Sequence, residues 1–420
     1  MIDISRVVFA ALLMTGFASI LQATIFEDGF ELPPGALQLS PPLSQQPSAR
    51  LTFMNQQMSW YGEADYSDLN TWMYDRVQVL YELYLRTRDE EIHAEAIKSA
   101  DEYIQHYTND GTEPDFADCN PGWEHAGVRK CDTKFTYASA CWYRFKVDGV
   151  DVCNQGLLTR LSKYFMSYGW NASRLLDAGI ANPETFRVTE RNMGYQLIGL
   201  VYVHKLAREK GYTALAESTD SDIRAVIKWL YEWQAKAQYG GWMHSYNGHE
   251  GSDRDPDYLI FSPWQSAILT GGLWRAWSAG FTTDICGASN ELCIPAMLVK
   301  FAQAMEDYGW IKKADDWMSS SNTTGQISWY LAFPNNPDAQ TNKQDNSGWY
   351  ADQHNPELQC VAALGYYFSK DAAQKNAFKA RYNVLEGYYV PALSSRGSPN
   401  RKFAWQHSHN PSCEWLMENG

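Results

Sequence analysis

The chain has no Cys-x-x-Cys pair and no Cys/His cluster at zinc-ligand spacing, and its strand signals are sparse. The first absence excludes a structural zinc and a thiol nucleophile; the second points away from folds built on sheets. Basic residues are also scarce. Lys and Arg number 35 against 49 Asp and Glu, a formal net charge of −14, and such a surface repels nucleic acid and anionic membranes. The apolar run Val7 to Leu21 is too short for a comfortable membrane span. Preceded by Arg6 and ending near the small residue Ala23, it reads as an export signal over residues 1–23.

A spacer comes next. Pro33, Pro34, Pro41, Pro42 and Pro47 lie among Ser and Gln, so residues 24–50 suit a linker and one domain is expected over 51–420. Within the spacer, Ile25 to Glu31 (IFEDGFE) is similar to a segment of secreted proteins from some Gram-negative bacteria. The eight cysteines should be paired in an exported chain. Proximity selects Cys119 with Cys131, Cys141 with Cys153, Cys286 with Cys293 and Cys360 with Cys413, out of about 105 pairings.

Helical periodicity is clearest over Asp89 to Tyr107. Ile97, Ala100 and Ile104 recur on one face while Glu95, Lys98 and Glu102 line another, as in an outer helix with one wet side. Leu69 to Arg86 differs, because Trp72, Tyr74, Val77, Leu80, Leu83 and Tyr84 leave little of its circumference polar; it reads as an inner helix. The contrast recurs. A helix is expected from Pro183, capped by Asn182, through Met193, Leu197 and Val201 to a stop at Gly211. Ser221 to Ala237 is amphipathic, and Pro263 to Ala279 is apolar nearly all round. Ile327 to Phe333 is the best short strand, and Gly-Trp recurs at Gly122, Gly169, Gly241, Gly309 and Gly348. The expected fold is all-α with few or no strands. This array of roughly six helical hairpins resembles the α/α toroid, an incomplete (α/α)6-type barrel, of many glycosidases and polysaccharide lyases.

The densest group of reactive side chains is the loop Gly241 to Trp264, which offers His244, Tyr246, His249, Glu250, Asp253, Arg254, Asp255, Asp257 and Tyr258. Gly248, Gly251 and Pro256 keep it out of regular structure, and long loops on rigid scaffolds carry function. The plainer reading is a solvated loop laced by salt bridges. Its histidines lack ligand spacing and its acids lack a calcium pattern, so neither metal nor cofactor is expected. On the helix after Pro183, Arg187, Glu190, Arg191, Asn192 and Gly194 fall together; charges on an enclosed helix need partners or an aqueous cavity. Tyr74, Asp75 and Arg76 obey the same logic on the first enclosed helix. Near the C-terminus, Arg401, Trp405, His407 and His409 precede Cys413, which a bridge to Cys360 brings near Trp349, Tyr350 and His354.

Aromatics make up 14% of the chain, with 17 Trp and 26 Tyr. Flat rings in polar loops, here Trp242, Tyr246, Tyr258, Trp264, Trp349, Tyr350 and Trp405, suit the apolar C–H faces of sugars. An oligosaccharide or polysaccharide substrate is expected, handled by a secreted or periplasmic monomer.

Two reactions fit. For β-elimination on a uronic-acid glycan, His244 or His249 serves as base, Tyr246 or Tyr258 as acid, and Arg254 with Asn192 neutralises the carboxylate. In residue type this resembles the α/α-toroid alginate and glucuronan lyases. Those commonly carry an Asn-His pair on an inner helix, where this chain has Arg191-Asn192. For hydrolysis, Glu190 with Asp257 or Asp75 with Asp255 would flank the glycosidic bond. A glycan-binding protein without activity is the third reading.

Overall fold

Apolar faces that run nearly all round a helix can be buried only by ringing that helix with others, and the protein does this repeatedly. A computed structural model describes residues 43–44, 75–107, 124–125, 128–129, 137–163, 190–245, 259–281, 293–311, 328–336, 355–394 and 410–420. The fold is all-α. Among the described residues the helices are α1 (Arg76–Thr87), α2 (Glu90–Tyr107), α3 (Ser139–Lys146), α4 (Gln155–Lys163), α5 (Glu190–Glu209), α6 (Thr213–Lys236), α7 (Pro263–Ser278), α8 (Cys293–Ala304), α9 (Asn355–Phe368), α10 (Ala372–Ser394) and α11 (Asn410–Asn419). Helix α8 runs on into a π turn, Met305–Gly309. Two antiparallel pairs of two-residue strands complete the set: β1 (Glu124–His125) with β2 (Val128–Arg129), and β3 (His244–Ser245) with β4 (Leu259–Ile260). The segment expected as a strand, Ile327 to Phe333, makes only single bridges within its described part, Ser328 to Trp310 and Ala332 to Phe261. It meets a neighbour twice without a run of pairing.

Helices α1, α3, α5, α7 and α9 are buried on almost every side, whereas α2, α6 and α10 each keep a wet face. Packing runs from α1 to α3, α5, α7, α9 and α11 in turn, with α2, α4, α6, α8 and α10 laid against them. A link back to the start exists as well: the Arg86 guanidinium on α1 pairs with Glu414 on α11, and its Nε donates to the Ser44 carbonyl at 3.0 Å. The Ser44 hydroxyl in turn donates to Glu418 at 2.6 Å.

Local chemistry fixes where these helices begin and end. Asp75 caps α1, its side chain accepting the Gln78 N–H at 3.1 Å. Pro263 opens α7 after Ser262, using the position where a missing N–H costs nothing. Gly211, at φ 72°, turns the chain out of α5. The α5–α7 crossing needs glycine: a Cβ on Gly194 would stand 2.9 Å from the Ile268 carbonyl carbon and the Leu269 nitrogen, and one on Gly272 would stand 2.9 Å from the Gly194 carbonyl oxygen. Close backbone approach at that level draws the first turns of α5 and α7 together.

Two bridges staple the helices, Cys141 to Cys153 and Cys360 to Cys413, with Cα separations of 5.7 and 5.0 Å. Both agree with the proximity argument. Cys293 is also disulfide-bonded, while Cys119, Cys131 and Cys286 lie outside the described residues. Among the described residues no cysteine is free, and no helix is long and apolar enough to cross a membrane.

Candidate functional site

The start of α1 meets the start of α3, and the start of α5 meets the start of α7. The Ser139 hydroxyl on α3 donates to Asp75 Oδ1 at 2.6 Å, and the Tyr137 ring just before α3 lies 6.0 Å from Tyr195 on α5. Between α5 and α7 the joint is Glu190. Its Oε1 accepts the Ser262 backbone N–H at 3.1 Å and the Ser266 hydroxyl at 3.4 Å, and it lies 3.5 Å from His244 Nδ1 on β3. Its Oε2 is buried with no hydrogen-bond partner among the described residues. The Glu190 and His244 side chains are 0% and 2% exposed.

A carboxylate shut away from water is costly, so the proton stays on. Burial pushes the Glu190 carboxyl up from 4.5 to about 8, although hydrogen bonds from its own backbone, from Ser262 and from Ser266, and the charge of Arg191, pull it down. Asp75 behaves alike: burial raises it from 3.8 to about 6 against hydrogen bonds from Ser139 and Gln78 and the charge of Arg275. At neutral pH Glu190 is therefore mostly a proton carrier and Asp75 mostly a carboxylate.

Beside Glu190, the Arg191 guanidinium sits over the Trp264 ring at 5.7 Å, and Trp264 stacks against Tyr330 with centroids 6.0 Å apart. Asn192 is buried on the same turn of α5. The described ends of the loop that starts at Gly241 and closes at Trp264 thus adjoin the charged first turn of α5.

Two expected binding residues have other work. Trp242 is sunk in the core, its indole N–H donating to the Leu230 carbonyl at 3.0 Å and its ring packed 5.2 Å from Phe301. Arg76 turns to the outer layer and pairs with Glu95 of α2 at 2.9 Å. Tyr74, Arg187, Tyr246, His249, Arg254, Asp257, Tyr258, Trp349, Tyr350, Trp405, His407 and His409 lie outside the described residues.

A second polar layer joins α1, α3, α5 and α7. Arg275 on α7 reaches Glu82 on α1 at 3.7 Å, Tyr143 on α3 donates to Glu82 at 3.1 Å, and Tyr202 on α5 donates to Gln78 at 3.5 Å. Glu82 is raised to about 7 by burial, with Arg275 pulling it down. Sequence reading missed this layer and the serines that hold Glu190. The available signal was a charge, Glu82 or Arg275, inside a helix otherwise apolar all round.

Among the described residues no group of three or more His, Cys, Asp or Glu is arranged to hold a metal ion. An open groove of about 550 Å³ lies at the other end of α5, lined in part by His204, Arg208, Glu217 and Asp220. His204 there is tied to the Ala216 carbonyl at 3.0 Å. No family model, curated protein or solved structure matches the chain.

Proposed function

We propose that the helices form an α/α toroid and that the chain is an exported carbohydrate-active enzyme. It cleaves a uronic-acid-containing polysaccharide by β-elimination beside the starts of α5 and α7. The observation that carries this reading is the buried pair of Glu190 and His244, 3.5 Å apart beside the Arg191–Trp264 stack. The two disulfides support export, because oxidising compartments keep such bonds.

In the proposed step, His244 takes the proton on the carbon that bears the substrate carboxylate. The electron pair left behind forms a carbon–carbon double bond as the bond to the glycosidic oxygen breaks, and a tyrosine, Tyr246 or Tyr258, gives that oxygen a proton. Glu190 stands 3.5 Å from the imidazole and is uncharged at neutral pH. Arg191, Asn192 and Arg254 neutralise the carboxylate and stabilise the charge that develops next to it.

Hydrolysis is the second reading, favoured by Asp75 and Glu190. Burial raises the two acids to about 6 and about 8, into the range of a general acid. One experiment separates the two: incubation with alginate, glucuronan, pectate and hyaluronan, tracking absorbance of a conjugated unsaturated uronide and, in parallel, reducing ends. New absorbance is the expected result. Reducing ends without absorbance would replace elimination by hydrolysis, and neither signal on any glycan would remove the enzymatic reading.

A further inference from the structure

The chain leaves α5 through Gly211 and enters α6 at once, and the end of one helix with the start of the other lines the open groove of about 550 Å³. That volume lies within the range of small-molecule sites, about 300–1,000 Å³. The lining combines the small buried residues Ala207 and Ala216 with the exposed charges of Arg208 and Glu217. Its one buried polar side chain is His204, 6% exposed.

The surroundings of His204 decide which ring nitrogen carries the proton. Nδ1 faces two acceptors, the Ala216 carbonyl at 3.0 Å and the Thr219 hydroxyl oxygen at 3.3 Å. The Thr219 hydroxyl spends its own proton on the Leu215 carbonyl at 2.8 Å. Nδ1 is therefore the N–H, and Nε2 is a bare acceptor on the side of the ring away from that carbonyl. Nε2 makes no hydrogen bond among the described residues, yet it is not sealed from water. Burial holds the imidazole below its ordinary 6.5, with Arg208 and Arg224 acting in the same direction against the Ala216 hydrogen bond and Asp220, so Nε2 stays unprotonated at neutral pH. The ring is also fixed: Phe281 packs edge-on at 5.3 Å, and Arg224 lies over Phe281 while its Nε donates to Asp220 at 2.7 Å.

The groove thus offers a neutral acceptor, two carboxylates and a guanidinium. A cation would meet Arg208 and an anion would meet Glu217 and Asp220. Hydroxyl groups donate and accept at once and bring no net charge to desolvate. We propose that the groove between α5 and α6 binds a short neutral oligosaccharide, whose hydroxyls donate to His204 Nε2 and Glu217 and accept from Arg208. The site lies at the opposite end of α5 from Glu190 and stands whether or not elimination occurs there.

Titration calorimetry of the full chain with maltotriose, cellotriose and mannotriose, each up to about 20 mM, tests this, with trigalacturonate as the charged control. At least one neutral trisaccharide is expected to bind, and to bind more tightly than trigalacturonate. His204→Asn keeps a donor for the Ala216 carbonyl but has no atom at Nε2, so affinity should fall about 3- to 10-fold. Glu217→Ala, at an exposed helical position where alanine is well tolerated, should lower it about 10- to 100-fold. Glu190→Gln should leave it unchanged. No binding of any neutral trisaccharide, or equal affinity in the wild type and both groove variants, would overturn the proposal. So would binding lost in Glu190→Gln and kept in the groove variants, which would place the sugar at the other end of α5. Neutral sugar bound in the groove by a chain that cleaves none of the acidic glycans would remove the elimination reading and leave this one standing.

Discussion

Replacing Glu190 by glutamine should flatten the dependence of stability on pH. The wild-type carboxyl ionises at about 8 in the folded chain and near its ordinary 4.5 when unfolded. A raised folded value means that its contribution is fully present below the unfolded value and is lost as pH climbs through the folded one. At about 1.4 kcal/mol per pH unit, stability falls by roughly 2 to 3 kcal/mol between pH 5 and pH 7 and by about 4 kcal/mol in all by pH 8. For a chain of this size a change of about 3 kcal/mol moves the melting temperature by roughly 4 °C. Glutamine keeps the acceptor that Ser262 and Ser266 use but does not titrate. Asp75, Glu82 and every other titrating group are common to both proteins, so the difference between the two melting curves, recorded by circular dichroism from about pH 5 to 9, isolates Glu190. The gap should open with rising pH in favour of the variant. Curves that stay parallel would mean Glu190 is ionised at neutral pH, and its role as an uncharged neighbour of His244 would be wrong.

The same geometry sets further outcomes. His244→Gln should abolish turnover on the active glycan; since the ring is buried 3.5 Å from Glu190, its melting temperature must also be recorded, and a folded, fully active variant would exclude His244 as the base. Gly194→Ala should cost about 1 to 3 kcal/mol, read by urea denaturation, because its methyl group meets the α7 backbone at 2.9 Å and the two helices must part. Removing the Cys360–Cys413 bridge by paired serine substitution should cost about 4 kcal/mol, since it closes a separation of 53 residues, and thermal melts with and without reductant check this.

The helices were legible because burial writes itself into periodicity. Pro263 to Ala279 and the stretch through Met193 to Leu206 read as enclosed, and α7 and α5 are enclosed. Helix α6 starts at Thr213, ahead of the amphipathic run that announced it, since its first turns are half-polar and packed by only a few groups such as Leu215 and Thr219. Glu190 was singled out because a charge on an apolar helix requires an account, and the same rule applied to Arg275 and Glu82 would have exposed their pairing. Their separation along the chain hides which charge meets which. Trp242 misled because ring composition cannot tell a sugar platform from a core plug; its indole is satisfied by a backbone carbonyl of α6. The Ser262 and Ser266 contacts with Glu190 depend on how closely α5 crosses α7, which two glycines set and no period reveals.

A net charge of −14 works against an acidic substrate at long range, yet the start of α5 is locally different. Helix N-termini present unsatisfied N–H groups and the positive end of the helix dipole, an effect felt within about one turn. Helices α5 and α7 begin side by side, and Arg191 stands there over Trp264. The acids placed there do not cancel this field in equal measure, because burial keeps Glu190 protonated at neutral pH. A carboxylated sugar would therefore meet repulsion at a distance and attraction on contact. Binding of an acidic oligosaccharide should then strengthen as salt screens the distant charges, up to the point where the contact itself is screened. Affinity that only falls from about 10 mM salt upward would place the attraction on the outer surface and not at the helix starts.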